Sequence, residues 1–250
     1  MMSNFIMHIE NDYASLSKKA AAIFAERVKL NPTGTFGFAT GSTPVGMYNE
    51  LTYLHKMGEV DLSKLTAFNL DEYCPIRKDD PQSYAYYMAN NLFDKVGLPN
   101  EKRNIPNGEI DHTQARDSFV ESLKDVTIDM QILGVGTNGH IGFNEPADSF
   151  QSDATYVPLA ESTINDNARF FATIEEVPKH AITMGIRDIM MAKEILLLVS
   201  GSSKAEVLRE LLESPIITPQ IPITVLKLHQ NVTIIADIDA AKNIKNKNKF

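Results

Sequence analysis

Apolar positions along the chain follow two alternating spacings. Short runs rich in β-formers lie at Phe5–Ile9, Thr35–Ala39, Leu65–Leu70, Ile128–Val135, His180–Met184, Glu194–Val199 and Val232–Ala236, and each reads as a strand. Between the first two, Leu16, Ala20, Ile23, Phe24 and Val28 fall on one helical face before Asn31-Pro32 closes the segment. Helices are expected from near Thr43, over Ser83–Phe93, over Thr113–Lys124 and over Ser203–Leu212. Strands alternating with helices predict an α/β chain: a three-layer, open, mostly parallel sheet with helices on both faces, of Rossmann-like type. No linker or internal repeat interrupts the pattern, so one domain over residues 1–250 is expected. In such sheets ligands bind beyond the carboxyl ends of the strands, which directs attention to the residues after each one.

Composition narrows the function classes. With 43% hydrophobic and 22% charged residues the chain is an ordinary globular protein. A formal net charge of −8 repels nucleic acid and anionic membranes, so neither is expected as a partner. Any phosphate-bearing ligand therefore needs basic residues gathered locally. Cys74 is the single cysteine, which excludes an internal disulfide and fits a reducing compartment. The first residues, MMSNFIMHIENDY, lack the basic start and long apolar core of a signal peptide, and no run reaches the roughly 20 apolar residues of a membrane span. A cytoplasmic protein is expected. The tail AAKNIKNKNKF is basic and polar and reads as a solvated end.

Chemistry gathers after the strands. Thr40-Gly41-Ser42-Thr43-Pro44 follows the second strand, with Thr43 suited to cap a helix and Pro44 to its first position. Such a turn is either a plain helix start or an anion site made of free N–H groups and hydroxyls. It is not a Walker A loop, because the Gly-Lys-Ser/Thr ending is missing. A helix end contributes only about 0.3–1 kcal/mol toward an anion, so a phosphate needs side-chain cations as well. Lys204, after the Glu194–Val199 strand, and Arg169, in NARFF, are the candidates, although either could be an ordinary surface cation. Asn69-Leu70-Asp71-Glu72-Tyr73 follows the third strand. Its adjacent carboxylates point to different sides, and Asp71, nearer the strand end, is the candidate base.

The segment GVGTNGHIGFNEP, residues 134–146, contains G-x-G-x-x-G directly after a strand. A dinucleotide fingerprint should open a long helix, but Gly142 and Asn144-Glu145-Pro146 break one almost at once. The segment reads instead as a tight loop presenting Asn138, His140 and Glu145, an amide, an imidazole and a carboxylate. The remaining histidines are scattered without metal-ligand spacing, so no metal site is expected.

Taken together, ATGSTPVGMY, FNLDEY, GVGTNGHIGFNEP, NARFF and GSSKA resemble, in order and separation, the glucosamine-6-phosphate deaminase family, over about residues 35–235. The resemblance implies that fold and an enzyme of amino-sugar catabolism, converting glucosamine 6-phosphate and water to fructose 6-phosphate and ammonia without a cofactor. By the same resemblance Asp71 is the general base moving a proton from C2 to C1, and His140 opens the pyranose ring. Glu145 and Asn138 resemble its supporting partners, and Gly41, Ser42, Thr43, Arg169 and Lys204 match the phosphate site.

This sequence departs from part of that family. Many members carry Asp where Asn138 stands, and an amide can orient His140 without adding charge, which implies a shifted pH profile. Longer, hexameric members bind an N-acetylglucosamine 6-phosphate activator through basic residues after the NEP motif. Here Ser152–Pro158 has no Lys or Arg, and the C-terminal extension is missing, so a monomer without an allosteric activator is expected. Two other readings stand beside it: a 6-phosphogluconolactonase, which shares the fold and phosphate site but does not as a rule carry FNLDEY with this loop and whose chemistry needs no base such as Asp71, and a sugar-phosphate sensor without turnover. The polar stretch Glu161–Val177 is the candidate lid.

Overall fold

The computed structural model describes residues 5–245; the final part of the basic tail, 246–250, lies outside the described residues. In chain order the strands are β1 (Phe5–Glu10), β2 (Thr35–Phe38), β3 (Thr66–Asn69), β4 (Asp71–Tyr73), β5 (Arg103–Asn104), β6 (Met130–Leu133), β7 (Thr155–Pro158), β8 (His180–Thr183), β9 (Glu194–Val199) and β10 (Val232–Asp237). The helices are α1 (Tyr13–Leu30), α2 (Val45–Lys56), α3 (Tyr84–Met88), α4 (His112–Leu123), α5 (Glu161–Asn167), α6 (Ile186–Met190) and α7 (Ala205–Glu213).

Seven parallel strands form the main sheet in the order β1-β10-β9-β6-β2-β3-β5. From β2 the chain runs outward through β3 to β5, and from β6 it runs the other way through β9 to β10. The order reverses between β2 and β6, and a crevice opens where their connections diverge. β9, EILLLV, is apolar almost throughout and buried from Ile195 onward, as a central strand covered on both faces must be. On one face α1 buries Leu16, Ala20, Phe24 and Val28, and Phe24 packs against Phe36 and Phe38 with ring centroids 5.0 and 5.6 Å apart. Asp12 starts that helix by accepting from Ser15 N–H.

The second sheet, antiparallel and of order β4-β8-β7, was not expected from the sequence. β8 falls in the run His180–Met184 read as a strand, but β4 and β7, three and four residues long, are too short to show a period of two. Leu70 joins the sheets: its N–H bonds Phe38 O in the main sheet, and its carbonyl accepts from Met184 N–H beside β8. Asp71 thus begins a buried strand rather than an exposed acidic turn.

Thr43 does not cap α2, contrary to the sequence reading. Pro44 lies in helical conformation before Val45, without a side-chain cap, and the orphan Gly46 N–H is satisfied by Tyr13 Oη at 2.8 Å. The helix expected over Ser83–Phe93 begins with Ser83 capping Tyr86 N–H and widens into a π turn at Ala89–Phe93. A 3₁₀ turn, Ser202–Lys204, leads into α7.

Candidate active site

The ends of four neighbouring strands, β9, β6, β2 and β3, converge on a cavity of about 390 Å³. Of the residues singled out in the sequence, Gly41, Ser42, Thr43, Asp71, His140, Arg169 and Lys204 line it. Glu145 and Asn138 stand behind His140, outside the lining.

Asp71 is 5% exposed and faces this cavity from the start of β4. Burial, reinforced by the neighbouring charge of Glu72, holds its carboxyl well above the ordinary aspartate value. Glu72 points the other way, as strand alternation requires. It accepts from the N–H groups of Tyr73, Tyr84 and Ala85 at 2.8–2.9 Å, tying the start of α3 to β4. Burial still pushes Glu72 up to about 7. The two adjacent carboxylates therefore divide between site and scaffold.

The loop after β6 contains turns and no helix through Ala154, in agreement with the Gly and Pro spacing. Two glycines let it fold tightly. A Cβ on Gly136 would lie 2.3 Å from His140 Cε1, so the imidazole rests directly on that backbone. Gly142, at φ +57°, brings the chain alongside Asp71, whose carboxylate would be 3.3 Å from a Cβ there. The loop is anchored by Phe143 N–H donating to Thr183 Oγ1 at 3.0 Å.

His140 Nδ1 lies 3.2 Å from Glu145 Oε2. With a carboxylate accepting there, Nδ1 carries the proton and Nε2 is left to exchange protons with a ligand. Burial alone would raise the pKa of Glu145, but His140, Thr163 and Asn138 together hold it below the ordinary value. Thr163, on α5, donates to Glu145 Oε1, and its hydroxyl is 3.5 Å from His140 Nδ1. Asn138 does not touch the imidazole. Its Nδ2 donates to Glu145 Oε2 at 2.8 Å, and its Oδ1 accepts the main-chain N–H of His140 at 3.1 Å. The amide holds the histidine through Glu145 and through the loop backbone.

Opposite this cluster lies the loop Gly41–Thr43 with two cations. Arg169 reaches Ser42 Oγ at 3.4 Å. Lys204 has its pKa lowered first by burial and further by Arg169, while Asp166 opposes the shift. Two like charges brought together in a partly desolvated wall favour an anion between them.

Sequence reading missed Thr163, Asp166, Asn167 and Tyr84, all of which line the cavity. Thr163, Asp166 and Asn167 sit on α5, within the segment proposed as a lid, where polarity marked the region without singling out a residue. That segment forms one wall of the cavity. Asn167 Nδ2 donates to Tyr73 Oη at 2.9 Å, fastening α5 to β4. Among the described residues no group of three or more His, Cys, Asp or Glu is placed to hold a metal ion, and no helix is long and apolar enough to cross a membrane.

A parallel sheet with a buried carboxylate, a carboxylate-held imidazole and an anion loop at its switch point defines a class that acts on phosphorylated small molecules. Residues 10–235 match the family of glucosamine-6-phosphate isomerases/6-phosphogluconolactonase, and the chain belongs to it. Within that family it is similar to glucosamine-6-phosphate deaminase of Clostridium botulinum (strain Kyoto / Type A2), 46% identical over 94% of this chain and 97% of the relative. It is likewise similar to glucosamine-6-phosphate deaminase of Thermoanaerobacter sp. (strain X514), 48% identical over 93% of this chain and 92% of that one. A solved structure described as a monomeric glucosamine-6-phosphate deaminase superposes with a TM-score of 0.90 at 42% identity, over 95% of this chain and 99% of the other. The 6-phosphogluconolactonase from Trypanosoma cruzi, at 17% identity and a TM-score of 0.78 over 98% and 99%, shares the fold.

Proposed function

We propose that this chain converts glucosamine 6-phosphate and water to fructose 6-phosphate and ammonia. The observation that carries the reading is the placement of Asp71: a buried carboxylate facing the same cavity as a Glu145-held histidine and an anion loop. Lactone hydrolysis deprotonates no carbon and has no use for such a base. Deaminases at 46–48% identity over most of the chain support the same choice.

The chemistry follows from the geometry. The substrate phosphate binds the Gly41–Thr43 loop with Arg169 and Lys204, and this remote binding energy fixes the reacting end of the sugar. His140 moves the proton between the anomeric hydroxyl and the ring oxygen, giving the open aldehyde, while Glu145 stabilises the imidazolium formed on the way. Asp71 then takes the C2 proton. The substrate's ammonium group, on that same carbon, favours the ionised carboxylate and offsets the burial that otherwise holds Asp71 protonated. One ammonium proton passes to the C1 oxygen to give an enolamine, and returning the C2 proton to C1 then leaves an iminium at C2. Water adds there, ammonia departs, and the ketone of fructose 6-phosphate remains. No step calls for a cofactor.

The enzyme acts as a monomer, as its structural relative is described, and without an allosteric activator. The stretch lacking Lys and Arg forms β7 and its approach, and the nearby Arg187 is paired with Asp153 and Asp188. A sigmoidal rate curve made hyperbolic by N-acetylglucosamine 6-phosphate would overturn this part. The activity is cytoplasmic in this reading, which a buried free Cys74 and a phosphorylated substrate support. The test is release of ammonia and fructose 6-phosphate from glucosamine 6-phosphate by the purified protein. Equal amounts of both products support the proposal; hydrolysis of 6-phosphogluconolactone instead, or binding without turnover, contradicts it.

A further inference from the structure

The Gly41–Thr43 loop is a partition between two cavities. On one side lies the active-site cavity; on the other is a mostly apolar cavity of about 380 Å³, lined in part by Tyr13 and Tyr87. Gly41 and Ser42 line both, whereas the two tyrosines line only the second.

Every carbonyl of this loop is held from the tyrosine side. Tyr87 Oη donates to Gly41 O at 2.6 Å, and Tyr13 Oη is shared between Ser42 O and Thr43 O at 3.0 Å each. Tyr13 Oη also accepts from Gly46 N–H at 2.8 Å, so one hydroxyl joins the loop to the first turn of α2. In a planar trans peptide the N–H points opposite to the carbonyl. Fixing Gly41 O and Ser42 O toward the tyrosines therefore turns Ser42 N–H and Thr43 N–H toward the active-site cavity. Among the described residues neither N–H meets a protein acceptor. Gly41, at φ +100°, supplies the left-handed backbone this orientation requires. Burial, with Tyr13 nearby, raises the Tyr87 phenol, which keeps it a donor at any ordinary pH.

We propose that Tyr13 and Tyr87 are positioning residues of the phosphate site, pre-orienting the loop N–H groups toward the substrate phosphate from behind. The inference rests on the reading of Gly41–Thr43 as that site. Neither tyrosine touches substrate; each acts by removing carbonyl oxygens from the phosphate's surroundings and by sparing the loop an ordering cost on binding.

The test compares Tyr13→Phe, Tyr87→Phe and the double variant with the wild type, using Tyr53→Phe, an exposed tyrosine on α2, as control. Inorganic phosphate binding is measured by calorimetry, a readout that does not depend on turnover, and KM and kcat for glucosamine 6-phosphate are measured beside it. Each lost hydroxyl is expected to weaken phosphate binding about three- to tenfold and to raise KM in parallel, with kcat within about twofold. Should the double variant not fold, Tyr13→Phe alone serves, because it removes one hydroxyl from a ring at the surface. Unchanged phosphate affinity in folded variants overturns the proposal, as does a fall in kcat with KM and phosphate affinity intact. Weakened phosphate binding in a protein that releases no ammonia would leave the positioning role standing and remove the deaminase reading.

Discussion

His140 Nδ1 and Glu145 Oε2 stand 3.2 Å apart, with side chains 19% and 12% exposed, beside α5 at the wall of the active-site cavity. The pair is a hub. Thr163 reaches one carboxylate oxygen and Asn138 the other, so the acid orienting the imidazole is itself held from two directions. Four residues from the loop and α5 act as one unit, and their substitutions should not be additive.

Thr163 tests that unit from the α5 side. Thr163→Val keeps the shape and removes the donor, and kcat should fall about five- to twentyfold with phosphate affinity unchanged. Thr163→Ser should restore most of the rate. Steady-state kinetics of both variants decide it; equal losses in Val and Ser would show that packing rather than the hydroxyl matters.

Asn138→Asp replaces the amide 2.8 Å from Glu145 with a second carboxylate. The two acids would have to share a proton, which holds the pair's upper titration above the ordinary carboxylate range. The variant should lose stability as pH rises from 5 to 8 relative to the wild type, by about 1–2 kcal/mol. Urea unfolding at the two pH values measures the difference.

The sequence made the main sheet legible where burial is two-sided and runs are long. β9 was read from end to end, and the face of α1 was read from five apolar positions. It did not disclose β4, whose Asp-Glu-Tyr has no strand signature; β8 was read as a strand, but not its antiparallel pairing with β4, which makes Asp71 buried rather than solvated. The cap of α2 was misread because the group satisfying Gly46 N–H is a hydroxyl 33 residues earlier, and no local pattern reports it. Asn138 was read as a supporting partner of His140, but the carboxylate it bonds could be known only once Glu145 was seen between it and the imidazole.

Glu72 gives a pH-dependent stability with a definite sign. Its value rises from 4.5 unfolded to about 7 folded, so the neutral form stabilises the fold fully below about pH 4.5. As pH rises toward 7 the unfolded chain releases this proton first, and roughly 3 kcal/mol is lost across that window. Glu72→Gln should flatten the slope, seen as a smaller difference in urea midpoint between pH 5 and pH 8. The same substitution removes the charge that raises Asp71, so the acid limb of kcat/KM should move to lower pH.

Lys204→Met removes one of the two cations at the anion loop. KM for glucosamine 6-phosphate and the inhibition constant for inorganic phosphate should both rise tenfold or more, and the dependence of KM on salt should weaken. A change in kcat alone would place Lys204 outside the phosphate site.

Asp71→Asn is the most direct test of the account, because the substitution is isosteric and leaves no carboxylate to take the C2 proton. The variant is measured for ammonia and fructose 6-phosphate release under saturating glucosamine 6-phosphate, with phosphate binding recorded on the same sample. The account predicts a loss of at least about 10²–10⁴-fold in kcat with phosphate affinity unchanged. A variant that retains wild-type turnover would contradict it, since the C2 proton would then be leaving by another base.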